Sequence, residues 1–232
     1  MSDATPDLPH GLALAWGVAH EPTRGPKREL SVERIVAEAI AIADRDGLPA
    51  ASMAAVAKAC GVTTMALYRY LPGKDDLVLL MQEAVVGSPP DLTGLPWREA
   101  LERWTRASSA ALLAHPWTLD IPITGSPNTP RPLAWANAAM GALAPTSLPV
   151  SHGLAAVLAL SAHARWHATL ARRWHDGTSA LESDNLGQVY PLIEAQFPHF
   201  AQAMADDQYN PDFDVFEYGM ALVLDGLAAR MG

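Results

Sequence analysis

The stretch from Ser52 to Lys74, SMAAVAKACGVTTMALYRYLPGK, limits what the chain can fold into more than any other, because helix starts, apolar stripes and helix stops follow one another within it. Ser52 suits an N-cap, its hydroxyl accepting from an otherwise orphaned backbone N–H. Met53, Val56, Ala57 and Cys60 then recur at helical spacing and define one buried face. Gly61 permits a sharp turn through left-handed backbone. Thr63 or Thr64 can cap a second helix, in which Leu67 and Leu71 face inward and Thr64, Met65, Tyr68 and Arg69 face outward. Tyr70 lies at its far end, and Pro72-Gly73 stops it just before Lys74. Two short helices about a glycine, the second exposing hydroxyls, tyrosines and an Arg, describe either an ordinary helical hairpin or a helix-turn-helix that enters a DNA major groove.

Charge favours the second reading. The chain has a formal net charge of −9, yet between Gly61 and Lys74 it carries bases and no acid. All its lysines, Lys27, Lys58 and Lys74, fall in the first third, whereas from Trp174 to Ala229 there is no Lys or Arg. A local reversal of sign is what phosphate contact needs. The acidic end is a poor partner for nucleic acid.

Composition points to an all-α fold, since alanine is abundant, aromatic residues are 7%, and no run of alternating Val, Ile and Thr suggests strands. The single cysteine, Cys60, excludes an internal disulfide and reads as a small buried hydrophobe. No basic segment followed by an apolar run marks a signal peptide, and no stretch reaches the length of a membrane helix, so a cytoplasmic location without membrane contact is expected.

In chain order, residues 1–30 are rich in Pro and Gly and read as an extended arm, whose basic end, Lys27-Arg28, either follows a DNA backbone or minor groove or remains a solvated tail. Ser31 caps a helix over 32–46 that ends at Gly47, and a further helix runs from about Lys74 to Val86. These place a DNA-binding domain at 31–88, with a turn-rich boundary at 87–96. Beyond it, helices are expected over 97–115, 133–143, 151–174 and 212–230. Pro116, Pro122, Pro127, Pro130 and Pro132 keep 117–132 from forming one helix, and Pro191 and Pro198 should break the region 186–205.

The residues Arg34-Ile35-Val36, Ala39, Ala43, Gly47, Ser52-Met53, Val56-Ala57, Gly61-Val62, Ala66-Leu67-Tyr68-Arg69-Tyr70, Pro72-Gly73-Lys74 and Leu77 resemble the N-terminal domain of TetR-family transcriptional repressors. Ala54 and Cys60 depart from the family pattern, where an Arg and a Leu are usual. The resemblance implies that Thr63, Thr64, Met65, Tyr68 and Tyr70 face an operator and that Lys74 meets a phosphate. With Ser52, Arg69, Lys27 and Arg28 they form the candidate contact set for double-stranded DNA. More loosely, Trp97-Arg98, His115-Pro116-Trp117, Pro127-Asn128 and Phe216-Glu217-Tyr218-Gly219 with Leu224-Asp225-Gly226 resemble a tetracycline-repressor-like ligand-binding domain. The fold implied is an N-terminal three-helix helix-turn-helix domain plus a larger helical domain, 96–232, for ligand binding and dimerisation.

Six of the seven tryptophans lie in this second region. Trp104, Trp117, Trp135 and Trp166, with His115, Asn128, His163 and His167, are either core packing or the lining of an apolar chamber with convergent polar groups, suited to a small-molecule effector. His163 and His167 also have metal-pair spacing, but no nearby Cys or acid completes a set, so no metal or other cofactor is expected. Nor does any catalytic motif argue for an enzyme. Gly219 and Gly226 share a helical stripe with Val215 and Leu222, and each glycine costs a helix about 1 kcal/mol, so close approach of another helix is the expected compensation. With Leu154 and Leu158 on the long 151–174 helix, this stripe predicts a homodimeric four-helix bundle. The function expected is a dimeric repressor released from a near-palindromic operator by an effector. Its rival is a protein of the same fold that binds or transforms small molecules without reading DNA.

Overall fold

The computed structural model describes residues 8–19, 30–175, 186–207 and 214–232, and among them the secondary structure is eleven α-helices and two 3-10 turns, with no strand. The chain divides into two compact units, residues 1–145 and 146–232.

The first unit opens with α1 (His10–Ala15) inside the segment expected to be extended. The helix-turn-helix follows from α2 (Val32–Asp46), α3 (Met53–Ala59) and α4 (Thr64–Tyr68), and α5 (Lys74–Val86) leads away from it. Each of the three is capped as its sequence dictates: the hydroxyls of Ser31, Ser52 and Thr63 accept from the N–H groups of Arg34, Ala55 and Ala66, all at 3.2 Å. Gly47 and Gly61 take the positive φ angles, 83° and 72°, that end α2 and turn α3 into α4. Ile35, Val56, Leu67, Leu71, Leu77 and Met81 are fully buried at the centre of this assembly. Truncating any of the leucines to Ala would cost about 2–5 kcal/mol.

Two longer helices complete the unit, α6 (Trp97–Ala114) and α7 (Pro130–Leu143), separated by a 3-10 turn at Pro116–Asp120 and an irregular segment. α7 starts three residues before the expected 133, because Pro130 and Pro132 occupy a first turn in which a missing N–H leaves no helical bond unmade.

In the second unit, α8 (Val150–His175) packs along α11 (Val215–Met231), with Leu160, Ala164, Phe216, Met220 and Leu224 buried. Between them in sequence, α9 (Leu186–Gln196) packs on α10 (Pro198–Asp207). The break expected at Pro191 does not occur: this proline lies inside α9, and the helix ends instead before Pro198, which opens the next one. A proline in the second turn removes one bond near the helix start, where the carbonyl opposite its ring belongs to Gly187.

Candidate nucleic-acid interface and effector region

α4 presents the surface expected of a reading helix. Leu67 and Leu71 anchor it in the core, while Met65 is 72% and Tyr68 45% exposed, Arg69 is exposed, and Thr64 is half-buried. Ser52 and Thr63 stand at helix starts, where their hydroxyls already accept backbone N–H groups. Tyr70 falls just past the end of α4, and its carbonyl lies 3.0 Å from His10 Nε2, which must carry the proton since a carbonyl only accepts. Lys74 is exposed at the first position of α5. Lys27 and Arg28 lie outside the described residues.

The turn itself is braced by Arg34, whose guanidinium donates to the Cys60 carbonyl at 3.3 Å and so ties α2 to the end of α3. Burial pushes the Cys60 thiol above its ordinary pKa, aided by Glu38 and opposed by Arg34, so it stays a protonated core residue. The acids that follow in sequence, Asp75 and Asp76, lie in the first turn of α5, the positive end of its dipole. Asp76 accepts in addition from the Gly11 N–H of α1 at 2.9 Å.

Three ties join this head to α6, α7 and the turn between them. Asp44 near the end of α2 accepts from His115 Nδ1 at 2.8 Å and from the Trp117 indole at 2.7 Å. At the other end of α5, the Glu83 carboxylate accepts from the Arg131 backbone N–H at 3.0 Å, while the Arg131 guanidinium donates to the Ala84 carbonyl at 2.9 Å. The Trp135 indole donates to the Gly87 carbonyl at 3.2 Å, and the Trp104 indole donates in turn to the Trp135 carbonyl at 2.9 Å.

Five of the eight candidate effector residues lie in this first unit. Trp117 is 3% exposed and belongs to the core shared with the helix-turn-helix, with His115 at its edge. Trp104 and Trp135 meet edge to face, 6.1 Å between centroids, and all three indole N–H groups are engaged by protein atoms. Asn128 is exposed, and its carbonyl accepts from the Trp16 indole at 2.9 Å. Asp44, Glu83, Arg131 and Trp16 were not anticipated from sequence. Only His115-Pro116-Trp117, as a motif without an assigned partner, pointed toward any of them.

The other three candidates lie in the second unit. His163 Nε2 donates to the Phe216 carbonyl at 2.8 Å, and its ring stacks on Phe216 (5.0 Å, 2°) and on Trp166 (6.0 Å, 23°). His167 stacks on the same Phe216 at 4.2 Å, and burial lowers its pKa against the opposing pull of Asp214. At Gly219 the close neighbour is α8 of the same chain. A Cβ there would lie 2.5 Å from His163 Cε1 on α8, so this glycine makes room for that ring. At Gly226 a Cβ would meet Arg230 only at an ordinary 3.7 Å. Leu154, Leu158, Val215 and Leu222 are all exposed, an apolar face along α8 and α11. Among the described residues no group of three or more His, Cys, Asp or Glu is arranged to hold a metal ion.

Comparison with known proteins bears on the same two regions. Residues 29–81 match the model for bacterial regulatory proteins of the tetR family, and residues 89–231 match the tetracyclin repressor-like C-terminal domain. The HTH-type transcriptional repressor DrrR1 of Streptomyces coeruleorubidus is 32% identical over 95% of this chain and 86% of its own length. Among solved structures, apo ActR from Streptomyces coelicolor aligns with a TM-score of 0.70 at 22% identity, over 88% of this chain and 97% of that one. BioQ with its double-stranded DNA operator aligns with a TM-score of 0.56 at 19% identity, over 86% and 99%.

Proposed function

This chain belongs to the TetR family of bacterial regulatory proteins, and on that premise we propose that it is a dimeric repressor that a small hydrophobic or aromatic molecule releases from its operator. The observation that carries this is α4: a helix held by two fully buried leucines that turns Met65, Tyr68 and Arg69 to solvent, with Lys74 exposed at the start of the next helix. A recognition helix contacts base edges through its first residues, so Thr64 and Met65 read sequence, and Lys74 holds a phosphate.

The exposed apolar stripes of α8 and α11 support dimerisation through a four-helix bundle, with Leu154, Leu158, Val215 and Leu222 meeting their copies. Two recognition helices then fall about 34–36 Å apart, which makes the operator a near-palindrome. The domain assignment follows function: 31–88 reads DNA, and 96–232 binds effector and dimerises. Two of the structural relatives are ActR in complex with actinorhodin and with (S)-DNPA, and the stacked His163 and half-exposed Trp166 offer an aromatic surface to a ligand here. Release is a shift of population: the effector binds the DNA-incompetent arrangement more tightly, since equal affinity for both would shift nothing. No described helix is long and apolar enough to cross a membrane, and a repressor that works on chromosomal DNA in this way would act in the cytoplasm and needs no catalysis.

The test is a titration of the promoter segment beside its own gene at several salt concentrations. Lys74→Ala is expected to weaken all sequences alike and to lower the salt slope by about one unit per contact. Thr64→Ala is expected to change preference at one symmetric pair of positions by roughly 1–3 kcal/mol. No loss for the first together with unchanged base preference for the second would remove the assignment and leave a small-molecule binder of the same fold.

A further inference from the structure

The family match begins at residue 29, and α1 lies ahead of it. It is a poor helix on its own, six residues with a glycine and no side-chain cap. What holds it is long-range. Its Gly11 N–H donates to Asp76 in the first turn of α5, its His10 ring donates to the Tyr70 carbonyl at the end of α4, and Leu14 and Ala15 pack on the core of the helix-turn-helix. Gly11 is buried so closely against Asp76 that a Cβ would collide with the carboxylate. Just past the other end, Gly17 turns the chain at φ 65°, and the Trp16 indole donates to the Asn128 carbonyl, two residues before α7 begins.

One short element is thus fastened at one end to the reading helix and α5, and at the other to the segment that leads into α7. We propose that α1 is a strap that fixes the angle at which α4 is presented, so that Gly11 and Trp16 are positioning residues for operator binding although neither faces DNA. The proposal rests on α4 being the reading helix. If the strap is loosened, the head samples a wider range of angles, the binding-competent fraction falls, and apparent affinity falls in proportion. A tether cut at either end is cut, so the two attachments act as one unit and their losses do not add.

Gly11→Ala forces the Asp76 carboxylate off the first end and Trp16→Phe removes the hydrogen bond at the second, the latter keeping a ring at an exposed position where folding is not at stake. The full-length wild type, both single variants and the double variant are titrated against the promoter segment over a range of salt, well below their melting temperatures. Each single variant is expected to bind about 2- to 12-fold more weakly, the equivalent of one hydrogen bond. The salt slope should be unchanged, because no phosphate contact is lost. The double variant should bind no more weakly than the weaker single one. Wild-type affinity in both single variants overturns the proposal, as does a lowered salt slope, which would make α1 a DNA contact, or a double variant whose losses add. A wild type that binds no promoter segment sinks the repressor reading and the strap with it, whereas a binding wild type with unaffected variants sinks the strap alone.

Discussion

Gly219→Ala should change the sign of its effect according to what residue 163 is. In a helix, replacing glycine with alanine stabilises by about 1 kcal/mol when nothing opposes it. At Gly219 the new methyl would sit 2.5 Å from His163 Cε1 and 3.2 Å from both ring nitrogens, so the ring must leave. It is not free to do so without loss, because it donates to the Phe216 carbonyl and stacks on Phe216 and Trp166. Losing that hydrogen bond costs about 0.5–1.5 kcal/mol, and losing the ring stacking costs about 0.5–1.5 kcal/mol more. Against the helical gain, the net effect in the wild type is destabilisation by about 0–2 kcal/mol. In a His163→Ala background there is no ring to displace, and Gly219→Ala should stabilise by about 1 kcal/mol. The four proteins of the cycle are compared by chemical denaturation at one protein concentration, since the stability of a dimer depends on it. The same sign and size in both backgrounds would show that the glycine is there for some other neighbour.

Asp44→Ala should strand the buried Trp117 indole and destabilise by about 1–3 kcal/mol, seen as a melting temperature lowered by roughly 2–12 °C, whereas Asp44→Asn, which keeps an acceptor, should lose less than half of that; equal losses would refute the bond's role. Because His167 is held below the ordinary histidine pKa of 6.5, the unfolded chain takes up a proton that the folded chain resists, so the stability this residue confers is full above that pH and declines as pH falls below it. Thermal melts from pH 7.5 to 5.5 should therefore show a slope that His167→Gln flattens, and an unaltered slope would contradict the burial argument.

The reading head was legible because its determinants are local. Caps at Ser31, Ser52 and Thr63, glycines at 47 and 61, and leucines at 67 and 71 each act within a turn or two of themselves, and the structure puts them where the periodicity does. What was missed is held from far along the chain. α1 has little helical propensity and depends on Asp76, Tyr70 and Asn128, more than fifty residues away in sequence. Asp44 gives no sign of its partners at 115 and 117, nor Glu83 of Arg131. The glycine stripe of α11 shows the limit most clearly: the sequence announces that something comes close, and only the fold tells that at Gly219 it is a histidine of the same chain.

The joint between α5 and α7 has a polarity of its own. Glu83 and Arg131 do not simply attract one another; each side chain bonds the other helix's backbone, the carboxylate at the N-terminal end of α7 and the guanidinium at a carbonyl in the last turn of α5. Each charge therefore also meets the favourable end of a helix dipole. Exchanging the two residues, the usual rescue for an ion pair, would set a cation against the positive end of one helix and an anion against the negative end of the other. The pair therefore works in one orientation only, and exchanging the charges should weaken the joint where replacements that keep an acceptor at 83 and a donor at 131 should not.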